Sequence, residues 1–405
     1  MVFLVNKHKI DFENFISFLI AFYIEIPIIN QILIAFSGSL TIMTQLYLLC
    51  IAVFFVFGLL KMTNRVIKSS TSMLVIMFIL VLYCCFTLMM TCGSTLTVNN
   101  FIVYTFVPIV LPTLFKINSA IFIKAMMIIP CLGIIKLKSI FVVDSNNYIS
   151  MGLSYAVLAP VLASLVFVVI LYREQKHKFF YTFVVLINFV YLVKMSVYGS
   201  RGTLLSVLLC IIALWVLKYD SDNKCVHIRS RRVGIFSLIV VGMIFNWQTI
   251  IYGVSEFFEN KGISVQAFEK SIRLLKDNKL LNGRNSILEI AFDEIMNKPL
   301  FGHGMSTFEY YTGINYPHNF LVQLLFDGGL LLFGIIVIVF LLRTMKVFQY
   351  LSKNQYYLYM YLFFLTVPGA LFSGDIWENG KFWFMMGWVL AFCSIKEGRI
   401  YNNEE

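Results

Sequence analysis

The sequence predicts an all-α polytopic membrane protein, and three observations carry that reading. Hydrophobic residues make up 60% of the 405, mean hydropathy is +0.83, and charged side chains are only 13%, far outside the range of soluble domains. Apolar runs long enough to cross a bilayer as helices recur along the whole chain, whereas a transmembrane barrel would alternate in stretches of about ten residues. Lysine and arginine also cluster in alternate loops, the pattern produced when short basic loops stay cytoplasmic.

Taken in order, spans are expected at 10–29, 37–60, 71–91, 100–115, 119–135, 149–172, 179–198, 202–218, 233–253, 318–342, 355–373 and 382–395, about twelve transmembrane helices. The first follows Lys7, His8 and Lys9 without a small-residue cleavage site, so it reads as a retained helix and not a signal peptide. Pro108, Pro112 and Pro130 interrupt the fourth and fifth, which are parted only by a short turn at Lys116 and Asn118. The basic groups Lys61 to Lys68, Arg173 to Lys178, Lys218 to Arg232, Arg343 to Lys353 and Lys396 with Arg399 then share one side with Lys7 and Lys9. Both termini are expected in the cytoplasm. The net charge of +11 is thereby a signature of topology and calls for no nucleic-acid partner.

The eight cysteines lie almost wholly within apolar runs and show no metal-ligand spacing, so they read as small packing residues. There is no P-loop, dinucleotide fingerprint, zinc motif or fixed-period repeat. No metal and no cofactor is expected, and energy must come from the substrate or from a gradient.

The chemistry concentrates in one long polar stretch, Ser255 to Pro317, predicted to be extracytoplasmic. It divides the chain into transmembrane helices 1–253, a loop 254–317 carrying part of the active site, and transmembrane helices with a short tail over 318–405. Within the loop, Ser286 to Glu289 reads as a capping box ahead of an amphipathic helix whose apolar face is Ile287, Leu288, Ala291, Phe292, Ile295 and Met296. Arg284 stands just before it, where free N–H groups and the helix dipole favour an anion. A second amphipathic segment is expected at Val265, Phe268, Ile272 and Leu275.

Arg201, flanked by Gly199 and Gly202 where two spans meet, would sit at the depth of a lipid phosphate. A snorkelling arginine that merely ends a helix is the competing reading. His318, after Pro317 and before Asn319, stands at the mouth of a span, where an imidazole can act as a base or hold a phosphate or hydroxyl; an interfacial structural histidine is the alternative. His303, between Gly302 and Gly304, reads as a turn residue.

These residues resemble the O-antigen and capsule polymerases of the Wzy type, which share a superfamily with the O-antigen ligases. The resemblance rests on Gly199-Ser200-Arg201-Gly202, Gly283-Arg284, Asn297-Lys298-Pro299-Leu300-Phe301-Gly302-His303-Gly304, and His318-Asn319-Phe320-Leu321 with the later Gly-Gly pair. It covers about 195–340. The aromatic residue often found after the loop arginine is replaced by Ile287 or Leu288, a departure bearing on the roles of the basic residues.

The resemblance implies a GT-C-like architecture and an inverting, metal-independent glycosyltransferase. It would join undecaprenyl-pyrophosphate-linked oligosaccharide repeat units on the outer face of the bacterial cytoplasmic (inner) membrane. Arg201 and Arg284 would hold the pyrophosphate and stabilise it as it leaves. His318 would contact the acceptor hydroxyl or the phosphate, with Asn319, Asp375 and Glu378 binding or orienting substrate. A chain-length regulator is a further expected partner, beside the lipid bilayer. Two other functions stay open: an O-antigen ligase, which shares the donor site, and a flippase or exporter of lipid-linked oligosaccharide, for which related halves and deep polar groups are expected.

Overall fold

The computed structural model describes residues 2–5, 8–37, 43–62, 79, 98–136, 148–198, 201–220, 223, 225–260, 272, 284–372 and 374–401. Helices dominate. A short hairpin, β1 (Val2–Val5) with β2 (His8–Asp11), leads into α1 (Phe12–Ser37) and α2 (Met43–Met62). Then come α3 (Val98–Phe101), α4 (Val107–Leu114), α5 (Ser119–Ile128), α6 (Tyr148–Ile170), α7 (Lys178–Tyr198) and α8 (Arg201–Val216). A second hairpin, β3 (Leu217–Asp220) with β4 (Cys225–Ile228), precedes α9 (Ser230–Glu259), α10 (Arg284–Asn297), α11 (Phe308–Thr312), α12 (Phe320–Phe348), α13 (Lys353–Ala370) and α14 (Gly380–Tyr401).

Helix therefore occurs in every predicted span except 71–91, which apart from residue 79 lies outside the described residues. Among the described residues, three helices are long and apolar enough to cross a membrane, Phe12–Ile34, Lys178–Met195 and Phe320–Phe348, with several shorter apolar helices beside them. On α7 the side chains of Phe179, Phe183, Leu186, Phe189, Val190 and Val193 are exposed. An apolar stripe of that size, left open along a helix otherwise packed in the bundle, belongs against lipid.

The proline-rich region shows how broken helices are tolerated in such a bundle. A π-turn, Ile102–Phe106, absorbs the approach to Pro108, and Val107 N–H donates to the Ile102 carbonyl. After α4 the chain turns at Phe115, and Asn118 caps α5 by accepting from Ala120 and Ile121 N–H at 3.1 and 3.3 Å. Beyond α5 the chain tightens into a 3₁₀ segment, Ile129–Lys136. Carbonyls on both sides of this junction accept from α7: Asn188 Nδ2 donates to Met127 O at 3.0 Å and Tyr191 Oη to Pro130 O at 2.9 Å. Irregular backbone inside an apolar bundle requires such partners.

The core is aromatic. Phe122 stacks on Phe384 with centroids 5.6 Å apart, and Trp377 on Trp383 at 5.5 Å. A close crossing joins α4 to α14: a Cβ on Gly387 would lie 2.1 Å from the Ile109 carbonyl oxygen, so only glycine permits this approach.

Candidate active site

The site is built on a break in α12. Gly329 has φ 61° and ψ −169°, a conformation essentially confined to glycine, and interrupts the helix at its tenth residue. The groups freed by the break are taken up by the segment that follows α10. His303 and Gly304 N–H donate to the carbonyls of Phe326 and Asp327 at 2.9 and 2.8 Å. In the other direction Leu330 and Leu331 N–H donate to the carbonyls of Pro299 and Leu300 at 2.8 and 3.2 Å.

The two backbones touch, which explains the glycines. A Cβ on Gly302 would lie 2.4 Å from Asp327 O, and one on Gly329 would lie 2.4 Å from Leu300 O. The Pro-x-x-Gly-x-Gly run and the later Gly-Gly pair are thus two halves of one joint.

Helix α10 packs on the first half of α12. Ala291 and Ile295 are buried with Phe308 and Phe326, and Ile287 packs against them. Three residues at i, i+4 and i+8 make a narrower stripe than the sequence predicted: Phe292 and Met296 are exposed, as are Leu300 and Phe301. Arg284 is already helical, two residues before the predicted cap at Ser286, and so does not precede the helix. Arg201 is likewise the first residue of α8. Each arginine is the first described residue of a helix of more than three turns. The second amphipathic segment around 265–275 falls outside the described residues, apart from Ile272.

The two histidines differ. His303 is buried, its Nε2 lies 2.8 Å from Glu294 O, and its ring stacks on Phe326 at 4.6 Å and meets Tyr311 edge-on at 4.5 Å. It is a pin between α10 and α12 as well as a turn residue. His318 is partly exposed, has φ +56°, and sits with its ring edge-on to Tyr316 at 4.5 Å. A left-handed backbone at a β-carbon-bearing residue costs about 1–2 kcal/mol, and such strain concentrates where a side chain must be aimed. Asn319, expected to bind substrate, caps α12: its Oδ1 accepts from Leu321 and Val322 N–H at 3.0 and 3.3 Å.

The predicted carboxylates lie on the loop between α13 and α14, and α12 reaches across to hold that loop. Gln323 Oε1 accepts from Ile376 N–H at 3.0 Å, and Trp377 Nε1 donates to Asp327 Oδ2 at 2.6 Å. Gln323 and Asp327, four residues apart, share a helix face and are fully buried. Asp375 Oδ1 accepts from Trp377 N–H at 2.8 Å, closing a local turn. Burial pushes the Asp375 carboxyl up to about 6, helped by the Glu378 charge and opposed by the hydrogen bonds from Trp377 and Gln323. Glu378 is more exposed and accepts from Asn100 Nδ2 at 3.3 Å.

Asp375 and Glu378 are thus brought together on one loop, and Asp327 is tied to that loop through Trp377. Sequence reading named the Gly-Gly pair but gave the neighbouring Asp327, and Gln323 and Trp377, no role. Their signal was an acid and an amide inside an otherwise apolar run, which in a membrane helix marks a polar contact that matters.

Residues 195–339 match the O-antigen ligase family (Wzy_C). That segment runs from the end of α7 through Arg201, Arg284, His303 and His318 to the broken helix, and it supports the O-antigen ligase/polymerase superfamily. It links the chain to glycosyl transfer in surface polysaccharide biosynthesis, with lipid-linked glycan and a bilayer as the working surroundings. No curated protein matches the chain.

Proposed function

We propose that this chain is a surface polysaccharide polymerase of that superfamily. It transfers undecaprenyl-pyrophosphate-linked glycan onto another lipid-linked repeat unit at the outer face of the cytoplasmic membrane. The observation that carries the proposal is the match over 195–339, because it includes both helix-opening arginines, the strained His318 and the stitched break in α12. The description of the matched family favours a second reading, an O-antigen ligase that uses the same donor chemistry but a different acceptor.

In the proposed reaction the acceptor hydroxyl attacks the anomeric carbon from the face opposite the pyrophosphate. The new glycosidic bond forms as the bond to the pyrophosphate oxygen breaks, inverting the centre, and the hydroxyl proton passes to a base or to water. Arg201 and Arg284 neutralise the charge that grows on the leaving pyrophosphate, each at a helix start that already favours an anion. Asp375, poised near neutrality, orients the acceptor or takes its proton, and His318 contacts acceptor or phosphate. The exposed Phe292, Met296, Leu300 and Phe301 suit the isoprenoid beside the pyrophosphate.

Twelve spans, cytoplasmic termini, an outward-facing 254–317 loop between the 1–253 and 318–405 helices, independence from metal and a docking length regulator complete the proposal.

Deleting the gene tests it. Loss of a polymerase leaves single repeats attached at the surface; loss of a ligase leaves none attached; loss of a flippase leaves repeats trapped inside. Complementation with Arg201→Ala or Arg284→Ala should fail at matched expression and Arg→Lys should rescue in part, because a point charge does not reproduce the bidentate fork. Lys276→Ala should be mild. Full rescue by either alanine variant removes that arginine from the mechanism.

A further inference from the structure

We propose a divalent transition-metal site, of zinc type, on the β3–β4 hairpin, with Asp220, Cys225 and His227 as its ligands. The hairpin register creates it. Asp220 pairs with Cys225 across the ladder, and His227 lies two residues beyond Cys225 on the same strand, so the three side chains share one face. Cys225 Sγ lies 3.1 Å from His227 Nε2, and His227 Nε2 lies 3.3 Å from Asp220 Oδ2. All three donor atoms fall within 4.8 Å of one another.

Ligand bonds of the usual zinc lengths in a tetrahedron separate neighbouring donors by about 3.3–3.6 Å. The separations of His227 Nε2 from Cys225 Sγ and from Asp220 Oδ2, 3.1 and 3.3 Å, fall close to that range. Sulfur, imidazole and carboxylate together suit borderline zinc over the hard cations magnesium and calcium.

The opposite face is anchored, which gives the ligands a rigid base. Tyr219 is buried, donates its hydroxyl to the Leu351 carbonyl, and stacks on Tyr356 with centroids 5.3 Å apart. Asn223 Nδ2 donates to Asp220 Oδ2 at 2.9 Å and fixes the carboxylate from outside the triad. The thiolate and carboxylate balance the dication, and binding releases the thiol proton to solvent. Lys218, opposite His227 on the ligand face, is exposed and has room to carry its ammonium away. The exposed outer side leaves a fourth position to water. Such a clip would order the connection between α8 and α9, and hence the helix that Arg201 opens.

The test uses the full chain in detergent, purified with a histidine-free tag, stripped by chelator and titrated with Zn²⁺ and with Co²⁺. One ion per chain is expected, and the cobalt form should show tetrahedral visible bands with a thiolate charge-transfer band in the near ultraviolet. Cys225→Ser should abolish the charge-transfer band, and His227→Gln should weaken binding roughly 100-fold or more, at least what loss of a supporting partner costs. Cys210→Ser, in the buried part of α8, should leave both unchanged. The proposal is overturned if the wild type binds no more tightly than the Cys225→Ser, His227→Gln double variant at matched elution and melting. Persistence of the charge-transfer band in Cys225→Ser overturns it equally, since the triad is then only a hydrogen-bonded turn.

Discussion

Gly329→Ala tests the joint on which the candidate site is built. Alanine would have to hold φ 61° and ψ −169°, at a cost of about 1–3 kcal/mol. Its Cβ would lie 2.4 Å from the carbonyl carbon and oxygen of Leu300 and 2.6 Å from Phe301 N, so the 299–304 segment must withdraw. That withdrawal breaks the bonds from Leu330 and Leu331 N–H to Pro299 and Leu300, worth about 1 kcal/mol each. The loss is about 3–5 kcal/mol, on the order of 4–6 °C in melting temperature for a chain of this size.

Two glycines serve as internal controls. Gly313 has φ +69° with open space around a Cβ, so Gly313→Ala should cost only the backbone term of about 1 kcal/mol. Gly334→Ala meets nothing within 4 Å and should be neutral or slightly stabilising. The assay is apparent melting in one detergent at one scan rate, followed by polysaccharide transfer in membranes. If Gly329→Ala melts within about 2 °C of Gly334→Ala, the stitched-helix account of α12 is wrong.

Four further expectations follow. His318→Gly should match or exceed the wild type in stability by about 1 kcal/mol through relief of its left-handed backbone, while losing transfer activity; retained activity would return His318 to a structural role. His303→Ala should instead lower the melting temperature, because it removes the stack on Phe326 and the contact to Glu294; unchanged melting would mean that the pin holds nothing. Asp375, with its folded-state carboxyl near 6 against an ordinary 3.8, binds its proton more tightly when folded, so its contribution is greatest below about pH 4 and is lost as pH rises through 6. The loss amounts to about 3 kcal/mol at 1.36 kcal/mol per unit. Asp375→Asn should therefore melt higher than wild type above pH 6 while abolishing an acid limb near 6 in the activity profile, and a limb that survives in the variant belongs to another group. Finally, in a background freed of native cysteines, an impermeant thiol reagent should reach a cysteine at Glu309 from outside cells stripped of any outer membrane, but not one at Asn223; the reverse pattern would invert the topology and remove the site from the outer face.

Sequence by itself determined the membrane class and the succession of helices, because hydrophobic run length and proline interruption are local signals. Helix α10 was legible for the same reason, as was the pairing of Gly-rich runs with His318 as motifs. Only the tertiary structure decided what those motifs do. Gly302 and Gly329 are 27 positions apart in the sequence, and that both are glycine because their backbones touch is a fact of packing that no periodicity carries.

The same holds for Gln323 and Asp327, which look like impurities in an apolar run until the loop of Asp375 to Trp377 is laid against them. Asn319 read as a substrate ligand beside His318, yet the helix start claims its oxygen. On the second hairpin, Asp220, Cys225 and His227 show no ligand spacing along the chain, and it is the antiparallel register that sets their side chains on one face. Long-range backbone approach and strand register depend on which surfaces meet, and a linear pattern of residue types does not encode that choice.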